Sequence, residues 1–135
     1  MKLIINTNRI MAALIKDSFS RYIIFHSNWE LIYLTFSEQE IEKHQDELLK
    51  KSGLNKEKFE LVLSKLKEKF ILLNDDLIKG NMIEASKIMD EVDPDDTPFI
   101  AAALATGSDI WSDDSHFSQQ KKIKVWKTKD LIKLL

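Results

Sequence analysis

Cysteine is absent from this 135-residue chain, which excludes disulfide staples, thiolate zinc sites and cysteine nucleophiles. Glycine occurs three times and proline twice, so collagen-like and low-complexity disordered architectures do not fit, and no internal repeat interrupts the chain. No apolar run approaches the roughly 20 residues of a membrane helix, and the amino terminus enters a strand-like segment without a secretory apolar region and cleavage site. Neither sign of charge dominates: 20 basic against 22 acidic side chains leave a formal −2, so the overall field does not advertise a polyanion partner. These absences describe a chain expected to be soluble and cytoplasmic, without membrane contact, whose nucleic-acid binding would have to be local.

What is present is a globular composition, 44% hydrophobic and 31% charged, expected to fold as one domain over residues 1–135 and to bury roughly two thirds of its unfolded surface. Short β-rich runs alternate with helical spacing. Lys2 to Ile5 ends in the polar triplet Asn6-Thr7-Asn8 before the helical spacing of Ile10, Met11 and Leu14. Ser18 is placed to cap a second helix through Phe25, and Glu30 to Thr35 reads as a buried strand. Ser37 and Glu40 have the spacing of a capping box for a helix closed by Gly53. Asn55 to Lys67 and Met82 to Val92 are further helices, with the strand candidate Phe70 to Leu73 between them. Asp95 or Asp96 is placed to cap the alanine-rich helix that Gly107 stops. Asp109 to Ser112 and Lys124 to Trp126 are the last strands, and Asp130 to Leu135 is a terminal helical turn. The alternation predicts an α/β fold, a three-layer α/β/α sandwich with a central, mainly parallel sheet of four to five strands.

In such a sheet the carboxyl ends of the strands share one edge, where ligands bind. Asn6, Asp113 and Asp114 directly follow predicted strands, Glu40 lies just beyond another, and Asp96 opens a helix. Acids gathered there suit hard, oxygen-seeking divalent ions. Position 6 is the exception, because it holds an amide.

The segments Leu3-Ile4-Ile5-Asn6-Thr7-Asn8, Asp96-Thr97-Pro98-Phe99-Ile100-Ala101-Ala102-Ala103-Leu104 and Ile110-Trp111-Ser112-Asp113-Asp114-Ser115-His116-Phe117 together resemble the PIN domain family, which includes ribosomal and transfer RNA nucleases and VapC-like toxins. Each motif alone is weak, whereas their order and spacing cover nearly the whole chain. The resemblance implies an endoribonuclease dependent on Mg²⁺ or Mn²⁺. Glu40, Asp96 and Asp114 match three family acids, and Asn6 occupies the place of the fourth, normally Asp. Asp113 and Asp93 are candidate auxiliaries. The loss of one negative charge implies weaker metal binding and activity, through a deliberate Asp-to-Asn exchange or natural divergence. The same resemblance implies RNA as substrate and the toxin role of a toxin–antitoxin pair, held by a small antitoxin protein. A catalytically inactive RNA- or protein-binding regulator on this fold is the alternative.

Ordinary roles compete at each position. Asp96 has the place of a helix cap, Glu40 that of a solvated charge or a capping-box partner of Ser37, and Asp113-Asp114 that of turn acids. Thr7 and Ser112 are candidates to hydrogen-bond a carboxylate or a metal-bound water. Asn8, Arg9, Lys121 and Lys122 are candidate substrate contacts, the lysines belonging to a run that also includes Lys124, Lys127 and Lys129. The three histidines match no zinc spacing, so His116 is read as packing, capping or touching substrate. Trp111 and Trp126 are assigned to the core, and apolar helix faces between Ser37 and Leu66 suggest a homodimer.

Overall fold

Leu3, Ile4 and Ile5 are all fully buried, because alternate residues of this strand face opposite helical layers. In the computed structural model, which describes residues 1–135, this strand, β1 (Lys2–Ile5), is central to a five-stranded sheet. β2 (Glu30–Tyr33) and β3 (Phe70–Leu72) lie on one side of it, and β4 (Asp109–Trp111) and β5 (Val125–Trp126) on the other. The order is β3-β2-β1-β4-β5, and every neighbouring pair is parallel. Ile4 stands opposite Ile32 on one side and Ile110 on the other.

Five helices follow the first two strands onto one face: α1 (Thr7–Ile15) and α2 (Phe19–His26), then α3 (Thr35–Lys43), α4 (Gln45–Ser52) and α5 (Lys56–Lys67). Their Ile10, Leu14, Ile23, Ile41, Leu48 and Phe59 form one core with Leu3, Ile5, Tyr33 and Trp111. The other face carries α6 (Asp75–Lys79), α7 (Met82–Met89) and α8 (Thr97–Thr106), packed on Ile4, Ile32 and Ile110. Ala101, Ala102 and Ala103 are buried there, their small side chains letting α8 approach the sheet. Gly107 ends α8 at φ +63°, the left-handed conformation that glycine adopts without steric cost. The chain closes with α9 (Thr128–Leu131), whose Leu131 returns to the first core.

The structure thus has the α/β/α layering expected from the alternation, with a fully parallel sheet. It departs from the sequence reading in several local features. Ser37 does not cap a helix. α3 already begins at Thr35, and the Ser37 hydroxyl is buried within hydrogen-bonding distance of Thr7 Oγ1, at 2.8 Å. The single helix expected up to Gly53 is broken at His44, whose ψ of 14° leaves the helical range and separates α3 from α4. The short helix α6, capped by the Asn74 side chain, was not anticipated. The helix faces assigned to a dimer are largely spent on the core, since Ile41, Leu48, Phe59 and Leu66 are buried; Leu61 remains 57% exposed. Trp111 is a core residue as expected, whereas Trp126 is only half-buried and carries Lys124 Nζ 4.0 Å from its ring centre.

Candidate metal centre

The sheet order reverses direction about β1: from it the chain moves outward through β2 and β3, then returns beside β1 as β4. The carboxyl ends of β1 and β4 therefore flank a topological switch point, where open α/β sheets form their binding crevice. Asn6 leaves β1 there and Ser112 leaves β4, tied by the Asn6 N–H donating to the Trp111 carbonyl at 3.0 Å. Asn6 is 4% exposed. Its side-chain oxygen accepts from the Asn8 N–H at 3.3 Å, so it caps α1.

From β4 the chain is folded back by two side-chain-to-backbone bonds. The Ser112 hydroxyl accepts from the Asp114 N–H at 3.0 Å, and Asp114 Oδ1 accepts from the His116 N–H at 2.9 Å. Across the crevice, Asp93 Oδ1 accepts from the Asp95 N–H at 3.0 Å and starts the 3₁₀ turn Pro94–Asp96 that leads into α8. Asp93, and neither Asp95 nor Asp96, is thus the side-chain cap of this segment. Asp96 makes no capping hydrogen bond although it occupies the cap position of α8.

These turns bring Asp93, Asp96 and Asp114 around one ring nitrogen. His116 Nδ1 lies 3.3 Å from Asp93 Oδ2, 3.5 Å from Asp114 Oδ1 and 3.8 Å from Asp96 Oδ2. The ligand atoms of Asp93, Asp96 and His116 all fall within 4.8 Å of one another. Asp96 Oδ2 and His116 Nδ1 are both sealed from solvent without a hydrogen-bond partner. Burial, followed by the charges of Asp93 and Asp114, pushes the Asp96 carboxyl up to about 6, against a smaller opposing effect of His116. Buried polar atoms are almost always satisfied. A carboxylate oxygen held among other carboxylates without a donor is therefore suited to a cation, and the donor set fits a divalent ion.

The other sequence candidates have partners of their own. Glu40 on α3 accepts from Thr7 Oγ1 at 2.6 Å. The start of α3 is braced by Tyr33, which donates to Glu38 Oε1 at 2.7 Å, with Lys67 Nζ 3.3 Å from the same oxygen. Burial and the adjoining Glu38 raise the Tyr33 hydroxyl to about 12, while the Tyr33 hydrogen bond holds Glu38 below the usual carboxylate range. A cleft of about 380 Å³ opens beside Glu40, with Asn8, Arg9, Met11, Ala12 and His44 among its walls. Thr7 therefore contacts a candidate acid rather than solvent.

Asp113 faces a different set of partners from Asp114. Its Oδ1 accepts from the Thr128 N–H at 2.7 Å, and its Oδ2 accepts from Thr128 Oγ1 at 2.8 Å and from Arg9 Nη1 at 2.8 Å. Both oxygens are occupied in joining β4 to α9 and α1, an anchoring position rather than an open ligand position. Arg9, read as a phosphate contact, is engaged by Asp113 and also donates to Ser20 Oγ at 3.3 Å. Lys121 and Lys122 are exposed but lead into the amino end of β5. Because β5 runs parallel to β4, that end is the sheet edge opposite Asn6 and Asp114. Lys127 and Lys129, after β5, emerge on the acidic edge instead.

Sequence reasoning gave Asp93 only an auxiliary place and set His116 outside the ligands. The available signal was the Asp93–Asp96 spacing of three across a proline-started turn, which puts both side chains on one side. Nothing local linked them to His116.

A search of curated proteins found no match. A family model of the PIN domain matches residues 4–134, essentially the entire fold just described. PIN domains are a nuclease-type fold that generally binds divalent metal ions and acts on RNA. On this match, supported by the parallel sheet and the acids at its switch point, the chain belongs to the PIN domain family.

Proposed function

We propose that this chain is a metal-dependent endoribonuclease whose activity is attenuated by Asn6. The observation that carries the reading is the unpaired, solvent-sealed Asp96 oxygen facing Asp93, Asp114 and His116 at the carboxyl edge of the sheet. Asp96 and Asp114 would hold Mg²⁺ or Mn²⁺, with Asp93 beside them and Asn6 as a neutral oxygen donor. When bound, the ion would supply Lewis-acid stabilisation of the phosphate and lower the pKa of a bound water toward neutrality.

The chain's own residues orient the reactants. Hydrolysis forms a bond from water oxygen to phosphorus, breaks the bond to the leaving oxygen and releases a proton from the water. Glu40 accepts that proton, the leaving oxygen takes one from solvent, and Thr7 fixes the Glu40 carboxylate. The cleft beside Glu40 receives the flanking RNA strand, its Met11 and Ala12 wall facing sugar or base. Lys127 and Lys129 replace Lys121 and Lys122 as the favoured phosphate contacts, because only the former pair follows a strand onto the acidic edge.

The biological role we favour is the cytoplasmic toxin of a toxin–antitoxin pair, restrained by a small antitoxin protein that reaches the acids. The family resemblance supports this role. A homodimer now has less support from the α3 to α5 faces, which are mostly core, and light scattering during size-exclusion chromatography decides it. No helix is long and apolar enough to cross a membrane.

The alternative, a catalytically inactive RNA- or protein-binding regulator, draws on one observation: Asn6 is buried and its amide oxygen already serves α1. Incubation of the chain and its Asn6→Asp variant with a mixed RNA pool, in Mn²⁺ or in chelator, tests the choice. The nuclease reading expects metal-dependent cleavage that is faster in the variant. RNA binding without turnover in both proteins would establish the regulator.

A further inference from the structure

His116 presents a contradiction that hydrogen bonding does not resolve. Three carboxylate oxygens lie 3.3–3.8 Å from Nδ1, yet Nδ1 forms a hydrogen bond with none of them and is buried. An N–H serving any one acid would point along the line to it. This nitrogen instead stands within 3.8 Å of all three. The arrangement is also pinned, because the His116 N–H is held by Asp114 and Asp93 by its own turn. The ring as a whole is 44% exposed, leaving the cluster open to solutes from one side.

We propose that His116 Nδ1 is a direct metal ligand, joining Asp96 and Asp114 with Asp93 beside them, and that it biases the centre toward borderline first-row ions over Mg²⁺. The proposal rests on the cation-site reading above and adds a nitrogen donor to it. Two ligands of one ion with bonds of about 2.1 Å can be at most about 4.2 Å apart. The separations of 3.3 Å to Asp93, 3.5 Å to Asp114 and 3.8 Å to Asp96 meet that limit. Imidazole suits Co²⁺, Ni²⁺ and Zn²⁺, whereas Mg²⁺ takes oxygen donors and retains water. A site with one nitrogen should therefore follow the rise in affinity from Mn²⁺ through Co²⁺ to Ni²⁺. Mg²⁺ should bind more weakly than all three.

The test is calorimetric titration of the metal-stripped full chain with Mg²⁺, Mn²⁺, Co²⁺ and Ni²⁺, in a His44→Ala background that removes the surface pair of His44 with Glu47. His116→Ala, His116→Asn and Asp96→Asn are compared in that background. His116→Asn keeps a polar oxygen near the position of Nδ1 and guards against misfolding. Both His116 variants should lose at least about tenfold in Co²⁺ and Ni²⁺ affinity, the scale on which groups around a metal site act. Mg²⁺ affinity should change by less than about twofold in His116→Asn. Paramagnetically shifted imidazole resonances in the Co²⁺ protein should vanish in both. Unchanged Ni²⁺ and Co²⁺ affinity in the His116 variants, with binding abolished by Asp96→Asn, would overturn this inference and leave the carboxylate site standing. Absence of binding by the parent chain at millimolar ion would overturn both.

Discussion

Replacing Asp96 by Asn should stabilise the metal-free protein, although it removes a residue assigned to the functional centre. The Asp96 side chain is 13% exposed and makes no hydrogen bond through Oδ2, so the exchange forfeits little bonding. Burial and then the neighbouring acids raise its carboxyl from the ordinary 3.8 to about 6. Between those values the folded chain binds more protons than the unfolded chain, and stability falls as pH rises through the window. Above about pH 6 the penalty is complete. At about 1.4 kcal/mol per pKa unit it approaches 3 kcal/mol, and solvent screening with the favourable α8 amino terminus reduces it to on the order of 2 kcal/mol. At pH 7 in chelator, Asp96→Asn should thus melt roughly 5–10 °C above the parent chain. The difference should close near pH 4. Saturating Mn²⁺ should reverse the order, since ligand at a hundred times Kd stabilises by about 2.7 kcal/mol and the variant lacks that binding. Scanning calorimetry at pH 4 and pH 7, with and without ion, reads all of this. A variant less stable at pH 7 in chelator, or a difference independent of pH, would refute the reasoning.

Asn6→Asp should retain the α1 cap, cost the metal-free fold about 1–2 kcal/mol for a buried charge, and tighten Mn²⁺ binding; denaturant unfolding and metal titration measure the two effects. Asp113→Ala should destabilise by about 2–3 kcal/mol through loss of its Thr128 and Arg9 bonds, while leaving metal affinity unchanged in the same titration; a large affinity loss would return Asp113 to the ligand set. Thr7→Val removes the hydroxyl that holds Glu40 and should lower the rate of RNA cleavage more than RNA affinity, as single-turnover kinetics would resolve.

The strands were legible because those buried on both faces need continuous apolar sequence: Leu3 to Ile5, Leu31 to Tyr33 and Ile110 to Trp111 are all core. Acids directly after those strands were legible for the same reason, since a parallel sheet sends every such position to one edge. The break at His44 was not, because α3 and α4 keep compatible apolar spacing across it. Ser37 illustrates another limit, as its capping signature is local but its hydroxyl partner is Thr7, 30 residues away. Asp113 and Asp114 are adjacent in sequence yet face different partners, a distinction set by the packing of Thr128 and Arg9. Lys121 and Lys122 lie close to Asp114 along the chain, yet the parallel return to β5 leads them toward the other edge. The approach of Asp93 to His116 likewise depends on two turns from separate loops.

The most direct measurement of the central claim is Mn²⁺-dependent RNA cleavage by Asn6→Asp beside the double variants Asn6→Asp/Asp96→Asn and Asn6→Asp/Asp114→Asn, each with a chelator control. The account expects cleavage by the single variant, its loss in chelator and its loss in both double variants. Cleavage that persists without metal, or that survives removal of Asp96 and of Asp114, would contradict the assignment of this acidic crevice as a nuclease centre.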